Sequence, residues 1–164
     1  MNQYRAALLV ISTRGASGER ADLVGPALKP RLLEAGYQVE PVLVIPDDRE
    51  AISECLVEMC DLRKIDLILT SGGTGLSPSD LTPEATLEVL DRRIPGLAEA
   101  MRAAGRAITP HADLSRAEAG QRRQSLIINL PGSPKGALEN LEVILPALPH
   151  ALDKIKGDPT DCGR

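Results

Sequence analysis

One stretch constrains the fold more than any other: Asp66-Leu67-Ile68-Leu69-Thr70-Ser71-Gly72-Gly73-Thr74-Gly75-Leu76-Ser77-Pro78-Ser79-Asp80-Leu81-Thr82-Pro83-Glu84-Ala85-Thr86. A short apolar run passes into a glycine-rich turn. It restarts as a helix at Thr82-Pro83-Glu84, with a cap residue, a proline at the first helical position and an acid in the first turn. The glycines at 72, 73 and 75 open backbone dihedrals closed to other residues, and they let backbone N–H groups come close to an anion. Asp80 follows, within reach of a metal held by such an anion. The loop is neither G-x-x-x-x-G-K-[ST] nor G-x-G-x-x-G. The glycines alone fit a sharp strand-to-helix turn without a ligand just as well.

Other segments repeat the pattern. Apolar or β-branched runs at 6–11, 38–45 and 124–130 read as strands beside the one at 66–70. Helices are expected from near Gly25-Pro26 to about Ala35, with Pro30 unsettling the middle, and from Pro46 onward. Further helices are expected over 82–90, over 97–104, from a Ser115 cap to about Gly120, and beyond Ser133-Pro134. Pro146 and Pro149 should kink the last of these. Strands alternating with helices predict an α/β fold, a three-layer α/β/α sandwich around a mostly parallel, mixed sheet. We expect one domain over 1–164, with 157–164 a flexible tail.

Phe and Trp are absent, Tyr occurs twice, and 43% of the 164 residues are hydrophobic. The core must therefore be aliphatic. Nothing offers a stacking platform for bases, and the net charge of −4 opposes a nucleic-acid partner. No apolar run approaches membrane-spanning length, and the start does not read as a signal peptide. Cys55, Cys60 and Cys162 read as free thiols in a reducing cytoplasm.

In a parallel sheet, the loops after the strands share one edge. Here they carry Ser12-Thr13-Arg14, Asp47, residues 72–80 and residues 131–135. Backbone donors, two carboxylates, hydroxyls and a lysine suit nucleotide phosphates with magnesium, which takes few protein carboxylates. Each member has a plainer alternative. Asp47-x-x-Glu50 resembles a capping box. Asp80 can brace its own turn, Ser115 can cap a helix, and Arg122-Arg123 reads as a solvated pair. His111 and His150 read as structural.

The strings Gly-Gly-Thr-Gly, Asp-Leu-Thr-Pro-Glu-Ala-Thr, Arg93-Ile94-Pro95-Gly96, Leu114-Ser115-Arg116-Ala117 and Asn129-Leu130-Pro131-Gly132-Ser133-Pro134-Lys135 occur in this order. Together they resemble the MogA/MoaB family of molybdenum-cofactor biosynthesis proteins, which is similar to the gephyrin G domain. The resemblance implies molybdopterin as substrate and its adenylylation by ATP with Mg2+. It implies a homotrimer and, as a further partner, a downstream molybdenum-insertion enzyme. Carried over, Asp47 and Asp80 become catalytic and metal-binding. Ser12, Gly72, Gly73, Thr74 and Gly75 become nucleotide-binding, and Ser115, Arg116, Pro131, Gly132, Ser133 and Lys135 pterin-binding. Family members often carry Ser-Asp where this chain has Ser12-Thr13, so the first loop lacks a carboxylate. A molybdopterin-binding protein without adenylyl transfer and a CinA-related phosphate enzyme are the alternatives on the same fold.

Overall fold

Strands made almost wholly of apolar residues need cover on both faces. Three of them form the centre of a seven-stranded sheet: β1 (Arg5–Ile11), β4 (Leu67–Ser71) and β7 (Ser125–Leu130). The computed structural model describes residues 3–162. With β2 (Gln38–Val39), β3 (Leu43–Ile45), β5 (Arg92–Arg93) and β6 (Ala119–Arg122), the sheet runs β2-β1-β4-β7-β6-β5, and β3 also pairs with β1. The pairs among β1, β2, β3, β4 and β7 are parallel. Those of β6 with β5 and β7 are antiparallel.

Side chains alternate between two cores, as the period of two requires. Ala6, Leu8, Val10, Leu67, Leu69, Leu126, Ile128 and Leu130 face one core. After the single-turn helix α1 (Thr13–Ala16), this core is covered by α2 (Val24–Glu34), α5 (Pro95–Arg106), α6 (Pro134–Ile144) and α7 (Leu148–Ile155). Ala7, Leu9, Ile11, Ile68 and Ile127 face the other. It is covered by α3 (Arg49–Val57), the π-helical turn Glu58–Leu62 and α4 (Thr82–Val89). The three-layer expectation holds.

Four local expectations are corrected. The strand at 38–45 splits, because Pro41 has no N–H for the ladder. Ser115 caps no helix: it follows the 3-10 turn Pro110–Leu114, and the chain then extends into β6. The residues at 115–120 lack an apolar period of 3.6, so no buried face holds them helical. Arg122 and Arg123 are not a solvated pair. Arg122 grips Asp61 with two hydrogen bonds of 3.1 and 2.7 Å and donates to the Val89 carbonyl at 2.9 Å, while Arg123 reaches Asp61 at 3.2 Å. Asp47 is not the cap of α3, as set out below. Helix α2 runs through Pro30. The break expected at Pro146 is the 3-10 turn Leu145–Ala147 between α6 and α7. The last two residues of the expected tail lie outside the described residues.

Candidate functional site

Parallel neighbours end at the same edge, so the loops after β1, β3, β4 and β7 converge. Two backbone bonds stitch them together: Ser12 N–H to the Ile45 carbonyl at 2.8 Å, and Gly72 N–H to the Leu130 carbonyl at 3.1 Å. The crowding explains two of the glycines. Gly72 has φ +107°, and a methyl group there would sit 2.5 Å from the Ile11 carbonyl oxygen. Gly73 has φ +66°, and a methyl group there would sit 2.3 Å from Thr82 Oγ1 and 3.6 Å from Asp47 Oδ1. No L side chain fits either position.

Beneath the loop lies a buried polar ladder that sequence reasoning missed. Asn129 Nδ2 donates to Thr70 Oγ1 and to Thr86 Oγ1, both at 2.9 Å, and Asn129 Oδ1 accepts from Glu118 N–H at 3.1 Å. The side chains of Asn129, Thr70 and Thr86 are fully buried. Ser71 Oγ donates to the Pro131 carbonyl at 2.7 Å. The available signal was an asparagine inside the otherwise apolar run of β7, since a buried amide must be hydrogen-bonded.

Two aspartates stand side by side after β3, and they divide the work. Asp48 caps α3, its Oδ1 accepting from Ala51 N–H at 2.8 Å. Asp47 is thereby released. Its Oδ2 accepts from Thr13 N–H at 2.9 Å and Thr13 Oγ1 at 3.0 Å, and its own N–H returns a bond to Thr13 Oγ1 at 3.0 Å. Thr13 is thus a donor that orients Asp47. Asp80 does brace its turn: Oδ2 accepts from Ser77 N–H at 2.9 Å, and Asp80 N–H donates to the Ser77 carbonyl at 2.9 Å. The second carboxylate oxygen of each, Oδ1, has no hydrogen bond to protein among the described residues. Thr82 Oγ1 is buried there without a hydrogen-bond partner among the described residues.

The loop is tied from a distance. Arg116 Nε donates to the Gly75 carbonyl at 2.7 Å and Nη2 to the Asp80 carbonyl at 2.6 Å, while Nη1 pairs with Glu84 Oε1. Arg116 N–H adds a bond to the Thr74 carbonyl at 2.9 Å. Burial pushes the Glu84 carboxyl up, but hydrogen bonding and charge from Arg116 outweigh it and hold the group below its usual range. Arg102 Nη1, unremarked in the sequence, donates to the carbonyls of Ser115 and Ala117 at 3.3 and 3.0 Å.

Two cavities flank the glycine loop. The first, about 420 Å3, is walled by Ser12, Gly72, Gly73, Gly132, Ser133 and Val44. The second, about 310 Å3, is walled by Thr74, Gly75, Ser115, Pro131, Ser133 and Arg102, and also by the apolar Met101, Ile108 and Leu114. Ser133 borders both, and its Oγ caps α6 by accepting from Gly136 N–H at 3.1 Å. Gly132, grouped with the pterin side in the sequence, lines the first cavity. Lys135 stands 85% exposed, its Nζ 3.9 Å from Glu139 Oε1. No group of three or more His, Cys, Asp or Glu side chains forms a metal centre among the described residues.

Residues 7–150 match the family model described as "Probable molybdopterin binding domain". The chain belongs to this family. The chain is 41% identical over 162 residues to a molybdopterin adenylyltransferase of Helicobacter pylori strain J99, an alignment covering 96% of this chain and 91% of the relative. A molybdopterin adenylyltransferase of Escherichia coli K12 is 43% identical over 145 residues, covering 87% of this chain and 74% of that protein. The crystal structure of the molybdopterin biosynthesis enzyme MoaB from Thermus thermophilus superimposes with a TM-score of 0.90 at 48% identity, covering 97% of this chain and all of that one. In this molybdopterin-binding family member, the resemblance and the fold expected from it are both borne out.

Proposed function

We propose that the protein is a molybdopterin adenylyltransferase that moves AMP from MgATP to the terminal phosphate of molybdopterin and releases pyrophosphate. The supporting observation is the pair of cavities meeting at the 72–75 loop, with a half-free carboxylate at each end of it: Asp47 beside Gly73 and Asp80 beside Gly75. Relatives that span most of the chain carry the corresponding name. The larger, glycine-walled cavity suits nucleotide phosphates, because backbone N–H groups can approach them without side chains in the way. The more apolar cavity suits the flat pterin, with Ser115, Pro131 and Ser133 in its wall. Lys135, exposed and next in the chain to Pro134 of the first cavity and Gly136 of the second, would attract anionic groups.

In the reaction, a terminal phosphate oxygen of molybdopterin attacks the α-phosphorus of ATP. The bond to the β-phosphate oxygen breaks, and pyrophosphate leaves. No covalent enzyme intermediate is needed. The protein's part is positioning and charge compensation. Magnesium, when bound, neutralises phosphate charge. The free Oδ1 atoms of Asp47 and Asp80 would hold it, and the unpartnered Thr82 hydroxyl fits a site that gains a polar occupant. Thr13 orients Asp47 through two donors.

The deciding experiment supplies molybdopterin and MgATP and measures pyrophosphate with adenylyl-molybdopterin. Equal amounts of both products are expected. Molybdopterin binding without ATP-dependent pyrophosphate would make the chain a binding protein on the same fold. We further propose a homotrimer working in a reducing cytoplasm beside a downstream molybdenum-insertion enzyme. The described cysteines are free, and no described helix is long and apolar enough to cross a membrane. A monomer in light scattering at micromolar concentration would remove the trimer.

A further inference from the structure

Arg116 touches three separate points of the structure around Asp80. Its guanidinium reaches the carbonyl of Gly75 at the start of the loop, the carbonyl of Asp80 at its end, and the carboxylate of Glu84 in the first turn of α4. Its own N–H holds the carbonyl of Thr74. The Gly75 and Asp80 ends are therefore pinned to a single planar group. That pin also sets the side chain of Asp80, since Asp80 Oδ2 lies where a methyl group on Gly75 would meet it at 2.9 Å. Between the pinned ends, the loop is tied by Ser77 N–H to Asp80 Oδ2, by Asp80 N–H to the Ser77 carbonyl and by a contact between the Ser77 and Ser79 hydroxyls. Leu76 and Ser77 are exposed, and the loop has no apolar anchor of its own.

We infer that Arg116 is a positioning residue: it holds the 75–80 loop so that the free oxygen of Asp80 faces the reacting phosphates, and it does not bind the pterin. Three acceptors lie in directions that a planar fork of donors can serve together. A lysine ammonium, a single point charge on a flexible stem, cannot serve all three. All three nitrogens already donate to protein, which leaves three of the five N–H groups committed to the loop and to Glu84. This rests on the adenylyltransferase reading for its catalytic arm, but not for its structural arm.

The test uses the full chain with Arg116→Gln and, should that variant fail to fold, Arg116→Lys. Three quantities are measured: molybdopterin affinity by pterin fluorescence, kcat and KM for pyrophosphate release, and amide hydrogen exchange along the chain. For Arg116→Gln we expect a molybdopterin Kd within about twofold of wild type and a kcat about thirtyfold lower or more. Exchange over residues 75–80 should quicken by about tenfold while β1 and β4 keep their protection. Arg116→Lys should fall between wild type and Arg116→Gln in all three measurements. A Kd raised about tenfold with kcat intact would make Arg116 a pterin ligand and overturn the inference. So would unchanged exchange in the loop, or an equal rise in β1 and β4. If the wild type releases no pyrophosphate, the proposed function fails while the exchange and affinity arms still decide the role of Arg116.

Discussion

Asp47 and Asp80 flank the same glycine loop, yet they are held in opposite ways. After β3 two aspartates are adjacent, and the jobs are split: Asp48 caps α3 and Asp47 faces Thr13 and Gly73. After β4 one aspartate does both jobs, with Oδ2 bracing Ser77 and Oδ1 left over. Where a neighbour carries the structural load, a functional residue can be altered without touching the fold. Where it does not, stability and chemistry are coupled in one side chain, and remote support such as Arg116 becomes necessary.

Mutations can break this contrast, beginning with the largest effect. Asp80→Ala removes the brace and the charge together. We expect adenylyl transfer to fall by more than a hundredfold, about 3 kcal/mol of transition-state stabilisation, and stability to drop by about 1 kcal/mol. Asp80→Asn keeps an acceptor for Ser77 N–H, so its melting curve should match wild type while the rate still falls about a hundredfold. A rate within threefold of wild type would show that the Asp80 charge is not used. Next, Asp47→Asn should lower turnover by a similar factor of about a hundred with no change in melting, since Asp48 keeps the cap. A lowered melting temperature would mean that the split of labour is incomplete.

Asp48→Ala is the mirror experiment. It should cost about 1 kcal/mol in urea unfolding and leave turnover within about twofold. Lost turnover at intact stability would reverse the assignment of the two neighbours. The smallest effect concerns pH and the tie on the Asp80 side. The Glu84 carboxyl is held below its usual range in the folded protein. Its contribution is therefore complete above the unfolded value of about 4.3 and is lost as pH falls through the folded value. Amide exchange at 75–80, corrected for intrinsic rates, should stay constant from about pH 7 to 5 and quicken only below about pH 4. Glu84→Gln should show no such pH response.

The central strands were legible because doubly covered strands are apolar throughout, and β1, β4 and β7 have few polar positions. The shared edge of the loops followed from parallel topology. The choice between Asp47 and Asp48 as cap was not legible, because two adjacent acids both satisfy capping spacing within one residue and only backbone geometry selects between them. Nor was the β6–β7 hairpin. Its register pairs Arg122 with Ser125, so the loop is Arg123-Gln124, with Arg123 at φ +49°. Two-residue hairpins normally announce themselves with Gly or Asn at such a position, and here an arginine sits there. Arg116 could be placed near the site by its neighbours in the chain, but its three acceptors come from residues 36 to 41 positions away in two cases and 32 in the third. No local spacing encodes that.

The outer margins of the sheet carry a consequence for behaviour at high concentration. One margin is β2 and β3, two and three residues long and separated by Pro41, and the other is β5, two exposed arginines of which Arg93 is paired to Glu118. A foreign strand adds to a sheet only where it meets an unbroken row of open N–H and C=O groups. Neither margin supplies one: proline interrupts the first, and charge and brevity guard the second. The described residues therefore keep their aliphatic strands in the interior, and the sheet margins offer neighbours in solution no template for fibrous growth.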